Sequence, residues 1–364
     1  MYSKEAVVDA LSRVLDPDFK KDIVSMNMVE ELEVSEGKIS FSLVLTTPAC
    51  PFKEKIKSDC IDAIHKHIDK SAVIDIKLSS RITRGGKRGK TEMPGIHNVV
   101  GIASGKGGVG KSTVAVNIAL SLSKTGARVG LLDADIYGPS VPIMLGIEKE
   151  VPETIEINGV TKVKPVEAFG LKVISIGFFV DASKALVWRG PMASGALKQL
   201  LTDTVWGELD YLIVDLPPGT GDIQLTLAQT VSVNGIVIVS TPQKVATSDA
   251  LKGIAMFKDT SLDIPVLGII ENMAWFTPAE LPDTKYYIFG KDGCRKLSEE
   301  TGVPLLGSIP LIQALRESAD EGKPCITEND ALIAAHFDHA ASMIARELVI
   351  RSAGIKDITQ HHSH

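Results

Sequence analysis

The sequence predicts an α/β fold: a mainly parallel sheet covered by helices on both faces, preceded by a small α+β domain. Three observations predict it. Short, nearly all-apolar runs recur through residues 97–350, with helical stretches between most of them. The first 80 residues carry a helix and strand pattern of their own. A basic, glycine-containing stretch without apolar periodicity separates the two. Strands that are apolar on both faces need cover on both faces, and intervening helices supply it.

Within residues 1–80, Val7, Leu11, Val14 and Leu15 fall at helical spacing behind Ser3, whose position suits an N-cap. Ile39, Phe41, Leu43 and Leu45 occupy alternate positions, the period of a half-buried strand. Phe52, Ile56, Cys60, Ile64 and Ile68 recur every fourth residue behind Pro51 and predict a second amphipathic helix. Ile74 and Ile76 suit a closing strand, so the module is expected as helix, strand, helix, strand. Next, Arg81, Arg84, Lys87, Arg88 and Lys90 alternate with Gly85, Gly86 and Gly89, with no acidic residue among them. Such a stretch buries too little apolar surface to order itself, and residues 81–96 are expected as a flexible linker. The strands expected in the large domain are His97–Ala103, Arg128–Asp133, Leu171–Ile176, Tyr211–Asp215, Gly235–Ser240 and Val266–Glu271. Residues 351–364, with His361, His362 and His364, are expected as a polar tail.

Composition excludes several classes. The 364 residues hold 39 Lys and Arg against 45 Asp and Glu, a net charge of −6, where a general nucleic-acid binder needs a basic surface. No apolar run approaches the ~18–20 residues of a membrane span. The amphipathic, mixed-charge start MYSKEAVVDALSRVL does not resemble a signal peptide. Four irregularly spaced cysteines do not make a disulfide framework, which suits a reducing compartment. The expectation is a cytoplasmic protein that binds neither nucleic acid nor membrane.

Gly105-Lys106-Gly107-Gly108-Val109-Gly110-Lys111-Ser112 fits G-x-x-x-x-G-K-[ST], between the apolar VVGIAS and the helical TVAVNIALSLSK that opens with Thr113. The glycines allow backbone N–H groups to converge on phosphate oxygens, and the helix N-terminus adds positive potential. In this reading Lys111 neutralises the β- and γ-phosphates and the Ser112 hydroxyl ligates Mg²⁺. Carboxylates follow at two strand ends, where ligands of open α/β sheets gather. Asp135, in GLLDADIYGPS, is expected to orient the attacking water or meet Mg²⁺ through water, with Asp133 supporting the loop. Asp215, ending YLIVD, has the position of a Walker B carboxylate directed at the metal. Gly219 and Gly221 behind it would let the LPPGTGD loop respond to a γ-phosphate.

Lys106 makes the motif more specific. GKGGVGKS resembles the deviant Walker A loop of the MinD/ParA/nitrogenase-iron-protein class, which implies a nucleotide-sandwich homodimer with Lys106 reaching the other subunit's phosphates. That resemblance also implies a contact of Asn272 with adenine, and Pro242 and Pro310 as walls of the base pocket. DADIYGPS, WRGPMASGALKQ (188–199), DYLIVDLPPGTGDIQLTLAQ (210–229) and ENM (271–273) are similar to the Mrp/ApbC-type ATPases, proposed carriers of iron–sulfur clusters. The first segment, with TTPACP (46–51), resembles the small domain fused ahead of bacterial members. The resemblance implies Mg²⁺-dependent ATP hydrolysis, an iron–sulfur cluster as cargo, and apo iron–sulfur clients and assembly factors as partners. The alternative is a MinD/ParA-like positioning or regulatory switch without a cluster.

One departure stands out. Cluster-binding members carry C-x-x-C shortly after the Asn-Met pair, and here Asn272-Met273-Ala274-Trp275-Phe276-Thr277-Pro278-Ala279-Glu280-Leu281 holds neither cysteine. The remaining candidates for a cluster or thiol role are Cys50, at a helix start where a dipole would favour thiolate, and Cys294. Cys60, on an apolar helix face, is expected in the core, and Cys325 stands alone in sequence.

Overall fold

The computed structural model describes residues 2–35, 37–81, 93–179, 190–260, 262–278, 280–328 and 331–353. Most of the expected linker and the tail from residue 354 onward lie outside the described residues. The rest divides into two compact units. One comprises residues up to 81 with the last turns of the final helix from Ala345, and the other runs from residue 93 to Ile344.

The first unit contains α1 (Lys4–Leu11), β1 (Val29–Ser35), β2 (Lys38–Leu45), α2 (Lys53–His67) and β3 (Val73–Ser80). Ser3 caps α1: its Oγ accepts the Ala6 N–H at 3.1 Å, satisfying one of the donors a helix start leaves over. The helix stops at Leu11, so Val14 reaches the core from the loop while Leu15 is 53% exposed. The sheet order is β1-β2-β3, with β1 antiparallel and β3 parallel to β2. Val7, Leu11, Ile39, Phe41, Leu43, Ile56, Cys60 and Ile64 form one core, the faces the sequence periodicity marks. β1 is an addition to the expected order. Its register shifts between Glu30 and Glu33, with Glu31 at a φ of 52°, so the apolar alternation of a strand is broken.

The second unit is built from β4 (Ile96–Ala103), α3 (Lys111–Lys124), β5 (Val129–Asp133), α4 (Val141–Met144), β6 (Thr154–Ile157), β7 (Val160–Val163), β8 (Val166–Ala168), β9 (Leu171–Ser175), α5 (Gly190–Thr202), β10 (Leu209–Asp215), α6 (Asp222–Thr230), β11 (Gly235–Ser240), α7 (Lys244–Lys258), β12 (Val266–Phe276), α8 (Gly293–Thr301), β13 (Leu305–Leu311), α9 (Gln313–Asp320) and α10 (Ala331–Ser352). Its eight-stranded sheet runs β13-β12-β11-β4-β10-β5-β9-β8, and every neighbouring pair is parallel except the antiparallel edge strand β8. β5, β10 and β11 are buried throughout, as continuous apolar runs require. β4 lies between β10 and β11: the chain lays β5, β8, β9 and β10 on one side of it, then crosses to lay β11, β12 and β13 on the other. That reversal opens a crevice at the carboxyl ends of the strands, where such sheets bind ligands.

β12 continues past the expected Glu271 to Phe276. It then folds back, and Phe276 and Tyr286 exchange two backbone hydrogen bonds of 2.8 Å. On this extension Trp275 packs beneath the Lys285 ammonium, 4.0 Å from the ring centre, and meets the edge of His336 at 5.8 Å.

Candidate nucleotide site

The glycine-rich loop joins the central strand β4 to α3, whose first residue is Lys111. Gly108 and Gly110 hold φ of 81° and 79°, a region costly for side-chain-bearing residues. Close packing adds a second demand. A Cβ at Gly105 would strike the Asp249 backbone in α7, and one at Gly110 would strike Asn272 Nδ2. Asn272, within β12, donates from Nδ2 to the Val109 carbonyl at 2.9 Å and is 4% exposed. This bond ties the loop to a strand two positions away in the sheet. The bond uses one of the two Nδ2 hydrogens.

The Lys111 ammonium is buried among carboxylates. It donates to Asp215 Oδ1 at 2.6 Å and to Ser112 Oγ at 3.2 Å, and lies 3.5 Å from Asp135 Oδ2. Asp215 ends β10 beside Asp133 at the end of β5, so parallel register brings the two carboxylates together. Burial raises the pKa of Asp215 even though Lys111 and Ser112 oppose the shift. Burial, then the charge of Asp215, pushes Asp133 up to about 7. Asp133 Oδ1 accepts the Asp135 N–H at 3.1 Å, and Oδ2 accepts the Val141 N–H at 3.2 Å and the Ser175 hydroxyl at 2.9 Å. It braces the loop that carries Asp135. Asp215 Oδ2 is buried with no hydrogen-bond partner among the described residues, an acceptor beside Lys111 and Ser112 that suits a cation or a metal-bound water. Lys106 is half-buried and makes no ion pair among the described residues. Pro242 abuts Gly293 at the start of α8, and Pro310 is buried in β13.

The sequence reading passed over Gln224. Its side chain is 1% exposed and shapes the loop behind Asp215. Oε1 accepts the Gly221 N–H at 3.0 Å, while Nε2 donates to the Pro217 carbonyl at 2.8 Å and the Gly219 carbonyl at 3.0 Å. The sequence carried only half of a signal: Gly221 has no side chain to complete a capping box, and the Gln224 half alone is made.

The expected thiolate character of Cys50 is overturned. Burial pushes its thiol up to about 11, outweighing the nearby Phe52 N–H, and it lies in the first unit. Cys294 is fully buried, its thiol pushed up to about 12 by burial and then by Glu271, and its Sγ donates to the Thr241 carbonyl at 3.7 Å. Cys60 is in the core as expected, and Cys325 donates to Ser318 Oγ at 2.8 Å. Among the described residues no group of three His, Cys, Asp or Glu side chains could hold a metal ion. Nor, among them, is any helix long and apolar enough to cross a membrane.

Comparison with known proteins agrees with this geometry. The family model of the NUBPL iron-transfer P-loop NTPase matches residues 95–347, and that of an iron–sulfur cluster assembly protein matches residues 4–77. An iron–sulfur cluster carrier protein of Deinococcus radiodurans is 47% identical over 96% of this chain and 96% of its own. A protein of the same name from Synechocystis is 44% identical over 96% of this chain and 97% of its own. A nucleotide-binding protein of Archaeoglobus fulgidus, solved with ADP, superposes with a TM-score of 0.54 at 35% identity, covering 63% of this chain and 87% of that one. With a glycine-lined phosphate loop on the central strand and both halves matched in order, the chain belongs to the iron-transfer P-loop NTPases of the Mrp/ApbC type.

Proposed function

We propose that the chain is a Mg²⁺-dependent ATPase that acts as a homodimer in iron–sulfur cluster assembly or delivery within the cytoplasm. The observation that carries the reading is the Lys111 ammonium in its glycine cradle, held by Asp215 at 2.6 Å. A triphosphate entering the cradle exchanges that carboxylate for its own oxygens. The N–H groups of Gly107, Gly108, Val109, Gly110, Lys111, Ser112 and Thr113 would converge on phosphate as those of a loop and helix start do. Ser112, Asp215 and Asp135 would hold Mg²⁺, which supplies charge neutralisation between the phosphates. Asp135 orients the attacking water, Asn272 offers Oδ1 to the adenine amino group, and Lys106 from a second subunit adds positive charge where the transition state needs it.

The cargo reading is supported by the names of the full-length relatives, and it favours cluster chemistry over positional switching. Among the described residues one chain supplies no group of three metal-ligating side chains, and Cys60, Cys294 and Cys325 are buried apart from one another. A cluster is therefore proposed to be held jointly with a second subunit or with the client, while nucleotide state sets the grip. The test is anaerobic transfer from a cluster-loaded scaffold protein to an apo-acceptor, followed with and without Mg-ATP. Transfer stimulated by ATP in the wild type and not in Lys111→Ala supports the function. Transfer indifferent to this protein and to ATP rejects it.

A further inference from the structure

We propose that Gln224 is a positioning residue for hydrolysis, holding the 217–221 loop in the conformation that meets the terminal phosphate. This rests on the ATPase reading and goes beyond it in naming the side chain that sets the loop. The loop lies at the site. Asp215, two residues ahead of it, pairs with Lys111. The Gly219 N–H donates to the Ser104 carbonyl at 2.8 Å, just before the phosphate loop, and Pro218 Cγ lies 4.0 Å from where a Gly107 Cβ would stand.

The loop cannot fix itself. Pro217 and Pro218 have no N–H, and Gly219 sits at a φ of 94°, so helix or strand pairing is closed to this stretch. One buried carboxamide performs the task instead, accepting from Gly221 and donating to Pro217 and Gly219. The two halves of that carboxamide do different work. Oε1 completes the N-terminal cap of α6, a role that Glu fills as well as Gln. Nε2 holds the Pro217 and Gly219 carbonyls, and a carboxylate has no hydrogen to give them. Gln224→Glu therefore keeps the cap and removes the loop restraint, while Gln224→Met keeps the volume and removes both.

The experiment compares the full-length wild type with both variants in steady-state ATP hydrolysis, calorimetric ADP binding and thermal unfolding. Displacing the loop by a fraction of its contact geometry should lower kcat about ten- to hundredfold. The KM for Mg-ATP and the ADP affinity should stay within about threefold of wild type. Gln224→Glu buries a carboxylate against two carbonyl oxygens and should lower the midpoint of unfolding, so kcat is read well below that midpoint. Wild-type kcat in Gln224→Glu overturns the proposal, as does a loss shared equally by kcat and nucleotide affinity in both variants, because Gln224 would then be a cap and nothing more. Should neither variant fold, amide exchange of the wild type decides. Residues 219–224 must exchange differently with a non-hydrolysable ATP analogue than with ADP, and identical exchange rejects the idea. A wild type that does not turn over ATP rejects the ATPase reading itself. Wild-type turnover with an indifferent Gln224→Glu rejects only this inference.

Discussion

Lys111 is the side chain on which the site's electrostatics balance. Three buried carboxylates surround or adjoin it, and removing its charge leaves them without compensation. Lys111→Ala is expected to abolish Mg-ATP binding in calorimetry and to cost about 3–5 kcal/mol of stability, the usual result of breaking a buried pair. Lys106, without an ion pair among the described residues, has no such structural duty. Lys106→Ala should retain nucleotide affinity within about threefold while phosphate release falls steeply. The pH dependence follows from Asp133. Its pKa of about 7 in the fold exceeds the ordinary value of 3.8, so the folded chain holds this proton more tightly than the unfolded one. Stability from this group is complete below about pH 4 and is lost as pH rises through about 7. Thermal unfolding of the nucleotide-free protein should register that decline, and a midpoint that climbs across the same interval because of this group would contradict it. Asp69 behaves oppositely. The Tyr2 hydroxyl and then the Ser71 N–H draw its pKa down to about 2, so its contribution is present above about pH 4 and fades toward pH 2.

At the scale of elements, legibility followed burial. β4, β10 and β11 were readable because a strand covered on both faces must be apolar at nearly every position. α1 and α2 were readable from one apolar stripe each, and Ser3 marked the start of the first. Ser3→Ala should cost the first unit about 1 kcal/mol in a denaturation midpoint. The edge strands β1, β8 and β13 were not read, whereas β3 was, from Ile74 and Ile76. β13 contains Gly307 and Pro310, which ordinarily punctuate loops, and it survives at an edge, where proline is tolerated. The β6–β7 hairpin was passed over although Asn158 and Gly159, at φ of 54° and 77°, are the pair a tight hairpin turn favours. β12 outran its apolar run because Asn272 and Glu271 are buried by specific bonds instead of by hydrophobicity: Glu271 accepts from Cys294 N–H and from Ser308 Oγ. The phosphate loop was fully legible as a motif, whereas the Asn272–Val109 bond and the Gln224 restraint depend on tertiary approach that spacing along the chain does not encode. Gly110→Ala joins both failures, a positive φ and a clash with Asn272, and should remove nucleotide binding without need of any change at Lys111.

For the whole molecule, the role proposed for Lys106 between subunits would make catalysis a property of the pair. Specific ATPase activity should rise with protein concentration and level off once dimers saturate, and a rate per chain that is flat under dilution to monomer would contradict the sandwich. The extension of β12 gives this assembly a built-in gauge. Trp206 is sealed in the core at 3% exposure, while Trp275 lies beneath an ammonium at the end of the strand that grips the phosphate loop. In a Trp188→Phe background its emission becomes an optical readout of that strand's far end, so a shift in colour or quenching on adding nucleotide would time the passage of the signal from phosphate to surface, with no label attached.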